Sequence, residues 1–388
     1  MSQTEPVTET RTAPQCIVCG RCLEVCPLVK ATAREELGPR AKGWLERHLR
    51  QSPDALAHDG YTEADAARLA GYCLTCGRCR AVCPQGVDVP GTVARLRAAH
   101  PDFRRWLWKA WLEHARTLWP AGSAAARLVP EALVPEKFGP SLKMLAGLSA
   151  GEGLTPFLEP KYYPDTFRGE RMLLFPGCTA SYVRKRWLGT ARRLLSGLGV
   201  ELEEGGFGCC GSGLVSAGFR AEADGLAEAN LAVWRAAGRP RIVVFCASCL
   251  AGLKGYACAD PAEAEAWRNS LTPLSILAKD IEFMVRPDAA QRIGYHRPCH
   301  APDPDPDLAL LRRALGDRIT AATGKQCCGF GGVMRLGAPD LSATVNGECW
   351  QALDGASVVL TGCSACASQL AATAPEGVAV GHWLETIA

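Results

Sequence analysis

The 388-residue sequence lacks the features that mark several large classes of protein. No stretch approaches the roughly 18 consecutive apolar residues that a membrane-crossing helix needs. The longest candidate, 242–253, holds two cysteines and reads as a buried strand running into a turn. Neither sign of charge is in excess: 43 Lys and Arg against 40 Asp and Glu leave +3, too little to argue for a nucleic-acid partner. Residues 1–15 are polar, contain Pro6 and Pro14, and have no apolar core of a secretory signal. Residues 1–14 are expected to form a disordered tail. Without an export signal the expected compartment is the cytoplasm, with peripheral attachment to the inner face of a membrane left open. No G-x-G-x-x-G follows a strand and no P-loop occurs, so neither flavin nor nicotinamide is expected on this chain.

What the sequence does have is the composition of a folded protein, 48% hydrophobic and 21% charged, and 20 cysteines. In a reducing compartment so many cysteines are expected to bind metal rather than pair as disulfides. They fall into three groups, at 16–83, 178–249 and 299–366, with Cys258 and Cys349 outside the pattern as expected apolar thiols. The region from about 90 to 170 has no cysteine and many prolines, and reads as a helix followed by an irregular linker.

The first group is Cys16-x-x-Cys19-x-x-Cys22-x-x-x-Cys26-Pro27, repeated as Cys73-x-x-Cys76-x-x-Cys79-x-x-x-Cys83-Pro84. This spacing is specific for [4Fe–4S] cubanes, with the fourth cysteine of each run turned toward the other cluster. The expected ligand sets are Cys16, Cys19, Cys22 and Cys83, and Cys73, Cys76, Cys79 and Cys26. Zinc sites usually space their cysteine pairs farther apart. The intervening segment is helical in character, with Thr62-Glu63-Ala64-Asp65 predicting a capped helix to about Gly71. With that helical insert, the unit resembles the α-helical ferredoxin domain of succinate dehydrogenase and fumarate reductase iron–sulfur subunits.

Beyond residue 170, short apolar runs at 172–175, 242–245 and 358–360 alternate with helical segments such as 183–198 and 221–237, which predicts α/β units. The pattern repeats. Cys178, Cys209-Cys210-Gly211 and Cys246-Ala-Ser-Cys249 correspond in order to Cys299, Cys327-Cys328-Gly329 and Cys363-Ser-Ala-Cys366. The expected fold is therefore α+β: an α-helical dicluster ferredoxin domain (15–100), a helix and linker (101–170), and two α/β modules (171–285 and 286–388) related by a pseudo-twofold axis.

Adjacent cysteines suit a bridging or open cluster better than a cubane. A lone cysteine, then Cys-Cys-Gly, then Cys-x-x-Cys resembles the CCG-domain (cysteine-rich) iron–sulfur oxidoreductases. These include the B-type and D-type subunits of heterodisulfide reductase and the iron–sulfur subunits of glycolate oxidase, lactate-utilisation and anaerobic glycerol-3-phosphate dehydrogenase complexes. The resemblance implies one or two noncubane [4Fe–4S] clusters, on Cys178, Cys209, Cys210, Cys246 and Cys249, and on Cys299, Cys327, Cys328, Cys363 and Cys366. Tyr295-His296-Arg297-Pro298-Cys299-His300 resembles the family's Tyr-His-Asp-Pro-Cys-His segment, with Arg297 in place of Asp. His296 and His300 are the candidate catalytic residues, donating hydrogen bonds to a cluster sulfur or passing protons to a substrate.

Two functions follow from the resemblance. In one, the chain relays electrons from a flavoprotein dehydrogenase acting on lactate, glycolate or glycerol 3-phosphate toward a quinone or membrane cytochrome. In the other, it is the catalytic component of a heterodisulfide-reductase-like enzyme that splits a disulfide. The tryptophan-rich segment 103–119 is expected to be an interdomain helix packed against the cluster shell, with docking to a membrane partner as the alternative.

Overall fold

The computed structural model describes residues 15–51, 62–130, 133–135, 139–148, 154–203, 205–324 and 326–388. The expected tail at 1–14 lies outside them. The described part of the first 148 residues is helical throughout: α1 (Arg21–Glu24), α2 (Pro27–Thr32), α3 (Pro39–Gln51), α4 (Glu63–Gly71), α5 (Arg78–Ala81), α6 (Val89–Ala99), α7 (Phe103–Glu113), α8 (Ala115–Arg127) and α9 (Gly139–Gly147). The capped helix starts where the sequence places it. The Thr62 side chain accepts from the Asp65 amide and Asp65 accepts from the Thr62 amide, which satisfies two of the free donors of α4. The two short helices that follow Cys19 and Cys76, α1 and α5, each open on a left-handed glycine, Gly20 (φ 79°) and Gly77 (φ 76°). That conformation carries no steric cost without a Cβ and folds each cysteine run back on itself.

The rest of the chain carries β1 (Leu158–Tyr162), β2 (Arg171–Phe175), α10 (Gly177–Tyr182), α11 (Lys185–Gly197), β3 (Glu201–Glu203), α12 (Ser212–Ala217), α13 (Arg220–Ala236), β4 (Arg241–Val244), α14 (Ala247–Lys254), α15 (Pro261–Ser270), β5 (Leu271–Pro273), α16 (Leu274–Leu277), β6 (Glu282–Val285), β7 (Ile293–His296), α17 (Pro306–Leu315), β8 (Ile319–Ala322), α18 (Val333–Gly337), α19 (Pro339–Gln351), β9 (Val358–Thr361), α20 (Ser364–Ala372) and β10 (Ala379–His382). Two four-stranded parallel sheets have orders β3-β2-β4-β5 and β8-β7-β9-β10. The orders coincide strand for strand, so the sequence repeat is also a repeat of topology. The protein is thus a mixed helix-and-sheet chain with a helical N-terminal portion and two α/β modules.

The central strands are apolar on both faces because helices cover both faces of a parallel sheet. Met172, Leu173, Ile242, Val243, Val359 and Leu360 are all buried. One core runs between the modules, joining Trp187 and Leu194 of the first to Tyr295, Leu311 and Trp383 of the second. Two differences from the sequence reading stand out. The run after β4 is the helix α14 rather than a simple turn. The proline-rich stretch expected to be irregular contains β1, which pairs antiparallel with β6 with Pro160 opposite Phe283. A two-stranded ribbon is all edge, where a missing N–H is tolerated.

Candidate metal centres

The N-terminal cysteines approach one another across the two runs, one group around Cys22 and another around Cys79. Burial raises the Cys22 thiol, and Cys16, Cys19 and Cys83 lie close enough to add to the effect. Burial likewise pushes Cys79 up to about 12, with Cys73 and Cys26 as its nearest sulfur neighbours and Cys22 next. The fourth cysteine of each run therefore stands with the other run. The first group is open to solvent: Cys19 is exposed, as are its neighbours Ile17 and Val18. The second is walled in. Cys76 is raised by burial first and by Cys327 of the second module next. Lys42 and Arg97, each only 2% exposed, lie within electrostatic reach of Cys73. Lys42 Nζ donates to the Leu37 and Gly38 carbonyls, and Arg97 donates to the carbonyls of Ala70, Gly71, Cys73 and Ser216.

The ten C-terminal cysteines form a ladder of neighbouring sulfurs. Cys178 raises the neighbouring Cys209 thiol, Cys209 raises Cys210, and Cys210 and Cys246 raise Cys249. Cys246 stands beside Cys363 across the two modules, and the row of neighbouring sulfurs continues through Cys366, Cys328 and Cys327 to Cys299. Cys328 Sγ and Cys366 Sγ are 3.3 Å apart. Two serines stand at the crossing. Ser248 Oγ is 3.3 Å from Cys246 Sγ and 3.5 Å from Cys363 Sγ, and Ser364 Oγ is 3.4 Å from Cys246 Sγ.

The loops that carry the paired cysteines are built alike. Each follows a sheet with Cys-Cys-Gly, and each glycine is left-handed, Gly211 (φ 73°) and Gly329 (φ 78°). A Cβ at Gly329 would collide with the Ser342 carbonyl oxygen. Two buried asparagines hold these loops. Asn230 on α13 accepts from the Gly208 amide at 2.9 Å and donates to the Cys209 carbonyl at 3.0 Å; Asn346 on α19 donates to the Cys328 carbonyl at 3.0 Å. Sequence reasoning passed over both. Their one signal is position, since each lies the same way along the long helix that follows its Cys-Cys-Gly.

Both histidines reach the centres. His296, at the end of β7, is fully buried, and burial holds its imidazole down at about 4, so it is neutral at ordinary pH. Its Nδ1 is 3.2 Å from Thr361 Oγ1, while its Nε2 has no hydrogen-bond partner. His300 Nδ1 is 3.7 Å from Cys299 Sγ, and burial lowers this imidazole too. The Thr75 backbone lies beside it, which brings the second module against the dicluster segment. Arg297, which stands where the family's segment has Asp, donates to the Pro302 carbonyl at 3.1 Å and pairs with Asp303 at 3.2 Å. Cys349 is buried on α19 and Cys258 half-buried, both against apolar neighbours.

The donors fit iron–sulfur groups. They are soft sulfurs, which suit such clusters rather than hard cations. Cys178 beside it takes the Cys209 thiol up to about 12, with burial adding to the effect, and Cys246 does the same to Cys363. Thiols so placed do not ionise unaided, and a metal group that takes up their charge resolves the conflict. Among the described residues, one triad of donor atoms lies within 4.8 Å: His296, Cys328 and Cys366. The other sulfurs are spread more widely than one ion draws its ligands, a spacing for a polynuclear group.

Comparison with known proteins agrees. The profile of a 4Fe-4S dicluster domain matches residues 12–87, and that of a cysteine-rich domain matches 172–254 and 293–371. The glycolate oxidase iron-sulfur subunit of Escherichia coli (strain K12) is 25% identical over 398 residues, covering 96% of this chain and 92% of its own length. The D-type subunit of the dihydromethanophenazine:CoB–CoM heterodisulfide reductase of Methanosarcina acetivorans is 25% identical, with 92% and 87% covered. The B-type subunit of the fumarate reductase (CoM/CoB) of Methanothermobacter marburgensis is 27% identical over 88% of this chain, which spans 63% of that relative. The chain carries a 4Fe-4S dicluster domain followed by two cysteine-rich domains, and along most of its length it is similar to iron–sulfur subunits of oxidoreductases. It is an iron–sulfur protein of the oxidoreductase-subunit class. No helix among the described residues is long and apolar enough to cross a membrane.

Proposed function

We propose that this protein is the electron-transfer subunit of a multi-subunit oxidoreductase, placed between a flavoprotein dehydrogenase for lactate, glycolate or glycerol 3-phosphate and a quinone or membrane partner. Residues 15–100 form the dicluster domain, 101–170 the helix and linker, 171–285 the first CCG domain and 286–388 the second. Cys16, Cys19, Cys22 and Cys83 hold one cubane, and Cys73, Cys76, Cys79 and Cys26 the other. Each five-cysteine set of the ladder holds a noncubane [4Fe–4S] cluster. Bound there, such clusters supply one-electron carriers.

The observation that carries this reading is a succession of neighbouring cysteines. It begins at the exposed Cys19, reaches Cys76, crosses to Cys327 of the second module, and runs through Cys363 and Cys246 to Cys178 in the first. The chain's own residues hold that order. Arg97 locks the inner cysteine run to α12, and His300 sits between Cys299 and Thr75. The reading is tested by purifying the protein anaerobically with its partners. Flavin-dependent oxidation of a 2-hydroxy acid with a quinone as acceptor is expected to vanish when this chain is left out and to return when it is added back. Undiminished activity without it contradicts the relay.

A second reading, disulfide cleavage at the CCG centres, is favoured by one feature: both modules keep all five cysteines. Reduction of a thiol disulfide by the isolated, cluster-loaded chain supports it, and its absence with every disulfide tried removes it.

A further inference from the structure

The two modules differ where their symmetry requires them to match. Cys178 corresponds to Cys299, which places Phe175 opposite His296 in the repeat. The sheet register places the cross-strand neighbours alike: Phe175 pairs with Val244 in the first sheet, and His296 with Thr361 in the second. All four are buried, at 1%, 2%, 1% and 0% exposure. An apolar pair in one module is thus a polar pair in the other, at a depth where water satisfies neither. Burying an unpaired polar atom is costly, so such a pair calls for a chemical reason.

The geometry supplies one. Thr361 occupies only the Nδ1 side of the imidazole. The Nε2 side has no hydrogen-bond partner, and one nitrogen of this ring, Cys328 Sγ and Cys366 Sγ all lie within 4.8 Å of one another. The two sulfurs and the nitrogen are therefore spaced as ligands of one metal ion, while the nitrogen is not hydrogen-bonded to either sulfur.

We propose that His296 Nε2 is an iron ligand of the second module, sharing one iron with Cys328 and Cys366, and that the first module's centre, with Phe175 at this place, is ligated by sulfur alone. The inference deepens the iron–sulfur reading above and rests on it. Ligation through Nε2 leaves the ring proton on Nδ1, where it is donated to the Thr361 hydroxyl, the usual arrangement for a metal-bound histidine. Thr361 is then a positioning residue. A neutral nitrogen brings no negative charge to the iron, so the two centres are electronically unlike despite matching cysteines, as histidine ligation sets apart other iron–sulfur centres.

The test uses the full chain, loaded anaerobically and labelled with 15N only in histidine. Hyperfine spectroscopy of stepwise reduced samples is expected to show one strongly coupled histidine nitrogen. The coupling disappears in His296→Phe, which copies the first module, and changes in Thr361→Val, where the ring loses its orienting partner. The wild-type spectrum is decisive even if His296→Phe fails to fold. A chain carrying about sixteen irons, at four per cluster, with only weak couplings in every reduced state overturns the inference and leaves the four-cluster reading intact. A chain carrying about eight removes that reading and the inference together.

Discussion

At the scale of single residues, the inner cysteine group differs from the outer in the charge around it. Lys42 faces Cys73, Cys26 and Cys79, and Arg97 faces Cys73, both buried. Nearby positive charge favours the more negative, reduced state of a redox group, and low dielectric strengthens the effect. Lys42→Met is therefore expected to lower the reduction potential of the inner cluster and leave the outer one unchanged, as read by a potentiometric titration followed by paramagnetic resonance. Equal shifts of both, or of neither, contradict this. Arg97→Met strands carbonyls of Ala70, Gly71, Cys73 and Ser216, and is expected to cost at least about 2 kcal/mol in chemical denaturation. A loss under about 0.5 kcal/mol, the scale of an ordinary surface substitution, contradicts the locking role. The cysteines were legible because their spacing is itself the chemistry. Lys42, Arg97, Asn230 and Asn346 were not, because a lone polar residue in a helical pattern reads as surface until the fold shows it buried.

At the scale of elements, the paired-cysteine loops depend on one left-handed glycine each and on an asparagine from the following helix. Gly329→Ala places a Cβ against the Ser342 carbonyl in a conformation that disfavours any side chain. It is expected to lose the iron of the second module, about four per chain. Iron analysis checks this, and full retention contradicts it. Gly225→Ala in α13 is the contrasting case: its position is exposed and a Cβ meets nothing within 4 Å. It is expected to stabilise the chain by about 0.5–1 kcal/mol through helix propensity, visible as a raised Tm. The strands that run into cysteines, β2, β4 and β9, were legible as short buried apolar runs. The edge strands β3 and β5 are three residues each, and β3 reads Glu-Leu-Glu, so no pattern marks them. Their pairing with a buried neighbour, not their own composition, makes them strands.

At the scale of the whole molecule, α7 binds the modules to one another. Trp108 Nε1 donates to the Gly213 carbonyl at 3.2 Å, and its ring lies against Phe330, with centroids 6.0 Å apart. Those residues follow the paired cysteines of the first and second modules. Trp111 stacks on Trp119, while Phe103 and Trp106 are exposed at 71% and 58%. The tryptophans thus divide between the interdomain packing expected of this segment and an open face. The repeat made the two-module plan legible, but nothing in the sequence shows that the modules meet through Cys246 and Cys363. That contact arises only when the ends of β4 and β9 are brought together, where the Ala247 amide donates to the Gly362 carbonyl at 2.9 Å.

The central claim, that eighteen cysteines hold four clusters as a continuous series, is tested most directly by iron and acid-labile sulfide per chain after anaerobic reconstitution. The account predicts about sixteen of iron, four for each cluster, with sulfide in matching proportion. About eight irons would confine clusters to the dicluster domain, and colourless, iron-free protein would contradict the account altogether.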